Sequence, residues 1–341
     1  MGIFKDRKTQ LPLWFMRQAG RYHKHYQAFK AQYSFETLCK TPALACEVTL
    51  GPVQDFNFDA AILFSDILFP LERLGMGLTF NPAPTLSKKI YCIQDVYSLQ
   101  PISPPEKFYL FQKQALELIK EKLSPEKTLM GFVGAPFTLY TYACEGQHSG
   151  NLLNAKAGLY NGTFEVFSQL ILNELLANMS MQASAPIDAI NIFDTAAGEL
   201  SLQDYERFII PVNKQLTQSF KSIFPNVKII YYSKNTNLDY LKKIDDKNID
   251  VLGIDWRVNI ADALNAFQTQ YFVQGNIDPA WLILPKEQLK HNLDVYMDRT
   301  LGKIKNPQKW IFGLGHGVLK ETPEKNVKFV SDYIKNYIFK N

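Results

Sequence analysis

Two arginines stand four residues apart in Leu13-Trp14-Phe15-Met16-Arg17-Gln18-Ala19-Gly20-Arg21-Tyr22, directly after an apolar run. A guanidinium cannot shed its proton to escape desolvation, so at the end of a buried strand it must be paired or must face an anion. Arg17 and Arg21 therefore either grip carboxylates of a ligand, with Ala19 and Gly20 letting the backbone approach it, or form ion pairs with distant acids. Charge placement alone leaves both open. Asp66, at the end of another apolar run, poses the same choice between catalysis and a salt bridge to one of these arginines.

Such groups act together only if the fold gathers them. Short β-type runs recur along the chain: 11–16 ahead of Arg17, 59–65 ahead of Asp66, 129–133 ahead of Gly134-Ala135-Pro136, and 189–193 ahead of Asp194-Thr195. They continue at 228–232 ahead of Ser233-Lys234, 251–254 ahead of Asp255, 271–273 ahead of Gln274-Gly275-Asn276, and 310–314 ahead of Gly315-His316. Helical patterns separate them. Thr41-Pro42 reads as a cap and first turn, Phe164, Phe167, Ile171 and Leu175 keep helical spacing, and Ser201 with Asp204 resembles a capping box. Later helices are read over 286–296 and 324–338. This alternation predicts an α/β fold, a TIM-type (β/α)₈ barrel, as a single domain over 1–341. In that fold the C-terminal strand ends share one rim, which would bring Arg17, Asp66, Thr195 and His316 together. Residues 70–101, with Gly75, Gly77, Pro82 and Pro84, are too long for a simple loop and predict an excursion over the mouth.

Composition excludes several classes. The net charge of +4 comes from scattered lysines, with no basic block of the kind that binds nucleic acid. No apolar run approaches the roughly 18 residues of a membrane span, and residues 1–7 lack a signal-peptide core. Met1-Gly2 with Lys5 and no Ser or Thr at position 6 is a poor myristoylation signal, so a cytoplasmic protein is expected. Cys39, Cys46, Cys92 and Cys144 form no C-x-x-C pair, which predicts buried reduced thiols.

The stretch from Trp14 to Tyr22 resembles the N-terminal signature of the uroporphyrinogen decarboxylases. The resemblance continues in the family's order through Phe64-Ser65-Asp66-Ile67-Leu68, Gly131-Phe132-Val133-Gly134-Ala135-Pro136-Phe137-Thr138-Leu139, Thr141-Tyr142 and Glu145-Gly146. It resumes at Gly253-Ile254-Asp255-Trp256, Gly275-Asn276-Ile277-Asp278-Pro279 and Leu314-Gly315-His316-Gly317. It implies a barrel enzyme, usually a homodimer, that converts the four acetates of uroporphyrinogen III to methyl groups, giving coproporphyrinogen III. It also implies that neither metal nor organic cofactor takes part.

That chemistry needs a grip on several carboxylates, a negative group near the pyrrole nitrogens and a dry site. Asp66 fits the second need, because an ionised carboxylate only accepts hydrogen bonds and a cyclic tetrapyrrole presents inward N–H donors. The resemblance favours this catalytic role over the salt bridge. Arg17 and Arg21 would hold acetate and propionate groups, with Arg17 assisting proton delivery through water or a substrate carboxyl. Gln18 would add hydrogen bonds, Tyr142 would donate to a carboxylate or to Asp66, and His316 and Thr195 would contact the substrate. Phe132 and Phe193 read as apolar walls, with core packing nearly as good a reading.

The chain departs from the family's pattern at His23-Lys24-His25, read as a surface loop instead of a metal site, at Ala196, and at Gly146-Gln147. A zinc-thiolate methyltransferase on a similar barrel is a rival, disfavoured because no cysteine follows a histidine at short spacing or ends a strand. A non-catalytic tetrapyrrole carrier is another, which would account for the arginines but not for Asp66.

Overall fold

The computed structural model describes residues 2–4, 10–81, 83–304 and 306–337. Most of the N-terminal stretch read for targeting signals lies outside them, as do Pro82 of the excursion and Ile338 of the last helix.

Seven strands form one curled parallel sheet: β1 (Ala60–Ile62), β2 (Thr128–Gly134), β3 (Ala189–Asp194), β4 (Lys228–Ser233), β5 (Val251–Gly253), β6 (Phe272–Ile277) and β7 (Trp310–Leu314), each beside the next. The first expected strand, 11–16, forms no regular ladder. Pro12 lacks an N–H, and the segment makes only one bridge, from Leu13 to Phe312. It nevertheless closes the ring. Phe312 N donates to Pro12 O at 2.8 Å on one side, and Asp59 N donates to Leu13 O at 2.9 Å on the other. The sheet is thereby a TIM-type barrel with helices on its outer face.

Alternation along the strands divides the apolar residues between two cores. Trp14, Ala60, Met130, Ala189, Ile230, Val251 and Ile311 fill the barrel, while Ala61, Leu129, Ile190, Ile229 and Leu252 face the helical layer. Ile3, on the short helix Gly2–Phe4, joins the inner core, and its N–H donates to Thr128 Oγ1 at the start of β2. The lower end of the barrel is thus filled, and the upper end carries the cleft.

Local signals explain the helices that surround it. Pro42 opens the helix Pro42–Phe56, and Ser201 Oγ accepts from Asp204 N. The expected excursion runs through the helix Phe69–Arg73, the antiparallel pair Leu78–Thr79 and Thr85–Leu86, and the helix Ile93–Tyr97. It is tied down by Arg73, whose guanidinium donates to Glu174 at 2.6–2.9 Å; Tyr109 donates to the same carboxylate and Arg73 also reaches Ser103 O.

Two expectations are corrected. Cys39, Cys46 and Cys144 are buried free thiols, but Cys92 is exposed because it caps the helix Ile93–Tyr97 on the excursion. His23-Lys24-His25 is not a surface loop: His23 is only 2 % exposed, packs on Phe56 and places Nε2 2.8 Å from Asp55 Oδ2. Among the described residues no helix is long and apolar enough to cross a membrane, and no three His, Cys, Asp or Glu side chains converge as a metal site.

Candidate active site

The rim opens into a cleft of about 580 Å³, within the roughly 300–1,000 Å³ usual for ligand pockets. Every site residue expected from the sequence lines it: Arg17, Gln18, Arg21, Asp66, Phe132, Tyr142, Phe193, Thr195 and His316. Their positions come from four parts of the fold. The segment closing the barrel delivers Arg17 to Arg21, the turn after β1 delivers Asp66, and the helix Pro136–Glu145 delivers Tyr142. Phe132, Phe193, Thr195 and His316 sit on or just after β2, β3 and β7.

Arg17 takes a left-handed backbone conformation, φ 54°, which an L-residue adopts at a cost of about 1 kcal/mol. Its neighbours hold it there. Val318 N donates to Met16 O at 3.0 Å, and the arginine stem lies over Gly317, where a Cβ would stand 2.4 Å from Arg17 Cδ. Neither Arg17 nor Arg21 has a carboxylate within 4.0 Å among the described residues, and both are exposed to the cleft mouth. The ion-pair alternative thus finds no partner for either arginine among the described residues.

Asp66 is held from below. Its Oδ1 accepts from Leu68 N at 2.8 Å, Phe64 N donates to Thr49 Oγ1, and Gln112 Nε2 donates to Ser65 Oγ. Burial lifts its carboxyl pKa to about 6, against the pull of the Leu68 N–H and of Arg17. The group is thus ionised near neutrality but poised close to it. Burial also raises the Tyr142 phenol to about 12, helped by the Asp66 charge, so it remains a donor. Two more polar groups line the cleft unsatisfied: among the described residues the Gln18 amide and the Thr195 hydroxyl are buried without a hydrogen-bond partner.

One wall is aromatic. The rings of Phe132 and Phe193 meet edge-on at 5.7 Å, Phe193 and Tyr232 at 6.1 Å, and Tyr232 stacks on His316 at 6.0 Å with 13° between planes. Sequence reasoning missed Tyr232, although its signal was available. It pairs in register with Phe193 across β3 and β4, and it is the last apolar residue before the polar strand end. Tyr26, Phe35 and Lys320 at the mouth were also missed, since they come from a helix, a helix start and a loop beyond the strand ends. Ala196 is buried and donates its N–H to Thr138 Oγ1, whose own proton goes to Asp194, pinning the turn that presents Thr195.

Fold and cleft together define a TIM-type barrel protein whose rim carries a cleft lined by arginines, one recessed carboxylate and aromatic rings. The family model described as uroporphyrinogen decarboxylase matches residues 4–337, and the chain belongs to that family. Curated relatives named uroporphyrinogen decarboxylase include one from Carboxydothermus hydrogenoformans, 35 % identical over 97 % of this chain and 93 % of its own length. Another, from Geobacter sp. (strain M21), is 38 % identical over 95 % of this chain and 94 % of its length. Among solved structures, a methyltransferase from Methanosarcina mazei superposes with a TM-score of 0.72 at 15 % identity, covering 95 % of this chain and 93 % of that one. This likeness concerns the fold alone. None of the four cysteines lines the cleft.

Proposed function

We propose that the protein decarboxylates the four acetate side chains of uroporphyrinogen III to methyl groups, giving coproporphyrinogen III in haem biosynthesis, without a cofactor. The observation that carries this reading is the pairing of two arginines, without a carboxylate within 4.0 Å among the described residues, with one recessed carboxylate in a cleft of about 580 Å³.

Each cycle must protonate a pyrrole carbon, break the bond between the methylene and its carboxylate, protonate that methylene to a methyl group, and release the proton added to the ring carbon, a net uptake of one proton for each carbon dioxide lost. Protonation makes the pyrrole an electron sink, so the electrons released with carbon dioxide have a place to go. Asp66 accepts hydrogen bonds from the inward N–H groups, and these together with the cationic ring hold it ionised. Its charge then stabilises the developing cation where little water competes. Arg17 and Arg21 hold acetate and propionate groups. Arg17 aids proton delivery through a bound water or a substrate carboxyl, because its own pKa is too high for an efficient acid. Tyr142 donates to a carboxylate or to Asp66, Gln18 and Thr195 supply the remaining polar contacts, and Phe132 and Phe193 flank the ring. The protein works as a cytoplasmic homodimer.

The test is anaerobic incubation with uroporphyrinogen III, oxidation, and chromatography of the porphyrins. Hepta-, hexa-, penta- and tetracarboxyl products are expected. Substrate that binds but returns unchanged would replace the enzyme with a carrier.

A further inference from the structure

The hydroxyl of Tyr232 lies between two partners at the rim. One is the Gly315 carbonyl oxygen at 2.7 Å, and the other is His316 Nδ1 at 3.2 Å. A carbonyl can only accept, so the single phenolic proton is committed to Gly315. The contact with His316 is then a hydrogen bond only if Nδ1 carries a proton and donates it to the Tyr232 oxygen. A neutral imidazole with its proton on Nδ1 has a bare lone pair on Nε2, and Nε2 has no protein partner among the described residues. His316 lines the cleft, so that lone pair is available to the guest.

Its surroundings are positive. Burial above all keeps the ring neutral, its pKa pushed down to about 3, and Arg17 from the segment before β1, Lys234 after β4 and Arg257 after β5 add to this, as does His148, itself lowered by burial, from the loop after the helix Pro136–Glu145. Arg257 is neutralised by Asp255 at 2.8 Å, and no carboxylate partner stands beside Lys234 among the described residues. A field of that sign draws an anionic group, while a bare imidazole nitrogen repels one. A shared proton resolves the conflict.

We infer that Tyr232 is a positioning residue that fixes His316 as the Nδ1–H tautomer, so that Nε2 receives a substrate carboxyl together with one proton. This rests on the reading of the cleft as a polycarboxylate site. It makes His316 a partner for a protonated carboxyl, distinct from the arginines, which take carboxylates as they are. The stacked ring of Tyr232 keeps the imidazole plane fixed while the proton arrives.

Nitrogen-15 NMR of the five histidines, with His316→Gln used for assignment, reads the tautomer directly in the substrate-free protein. Wild type should show His316 protonated on Nδ1, and Tyr232→Phe, which keeps the ring and the stack, should move the proton towards Nε2. Finding Nε2–H in the wild type overturns the inference. Anaerobic calorimetry with the product coproporphyrinogen III, in two buffers of different ionisation enthalpy, should show one proton more taken up per site in wild type than in His316→Gln. Equal uptake also overturns it. In steady state, Tyr232→Phe should raise KM about three- to tenfold with kcat held within about twofold, and should add nothing once His316→Gln is present. Independent, additive losses would show that Tyr232 does not act through His316. A wild type that leaves uroporphyrinogen unchanged would remove the proposed function while leaving the NMR result standing, so the two failures are distinguishable.

Discussion

Arg73 and Arg17 are the same residue type put to opposite uses. Arg73 is 7 % exposed and spends its donors on Glu174 and Ser103, with Tyr109 joining the carboxylate, so that the excursion is fastened to the helix Thr163–Ala183. Arg17, like Arg21, stays open to the cleft with no carboxylate within 4.0 Å among the described residues. A saturated guanidinium is part of the scaffold, and an unsaturated one held in a left-handed turn faces the cleft. The difference cannot be seen in composition, only in where the nearest carboxylates lie.

The comparison breaks most readily at its buried side. Glu174→Ala strands a buried charge and should destabilise the protein by about 3–5 kcal/mol in urea unfolding. A loss below about 1 kcal/mol would make Arg73 no more structural than Arg17. Asp66→Ala should instead lower kcat about 10²- to 10³-fold with stability at neutral pH held or raised, because the group serves developing charge and its buried ionised form is a cost to folding. The sign of its pH effect sharpens the contrast. The folded carboxyl titrates near 6 and the unfolded one near 3.9, so the folded state binds the proton more tightly. Wild-type stability should therefore fall as pH rises from about 4 to about 6, and Asp66→Asn should flatten that slope. Arg21→Ala should raise KM about ten- to a hundredfold, as expected for a lost charge-assisted bond, while stability moves by less than about 0.5 kcal/mol. An unfolding shift as large as that of Glu174→Ala would place Arg21 with Arg73. The smallest effect is expected for Thr195→Val: kcat/KM should drop less than about tenfold and the melting temperature should hold or rise, since the buried hydroxyl has no partner among the described residues.

Much of this was legible because strand ends announce themselves. Runs of apolar residues halted by Asp66, Asp194, Ser233, Asp255 and Gly315 located the rim, and seven of the eight became strands of the sheet. Boundaries shifted where polar residues belong to the ladder, as in β6, which continues through Gly275 and Asn276 to Ile277. The opening segment made only a bridge because Pro12 interrupts its bonding. His23 was misread because polarity was taken for exposure, whereas Asp55 and the rings around it make burial favourable. Tyr232 escaped notice because a tyrosine in an apolar run looks like core, and only the fold brings it to His316. The proton assignment on His316 lies still further from the sequence, depending on which of two acceptors a single hydroxyl serves.

The stem of Arg17 resting on Gly317 joins the first barrel segment to the turn after the last strand. During synthesis this arginine therefore finds its seat only after the turn that follows β7 has emerged from the ribosome. A nascent chain that stops short of β7 has six of the seven sheet strands but no anchor for the stem of Arg17, so the seat of that residue is completed in one late step.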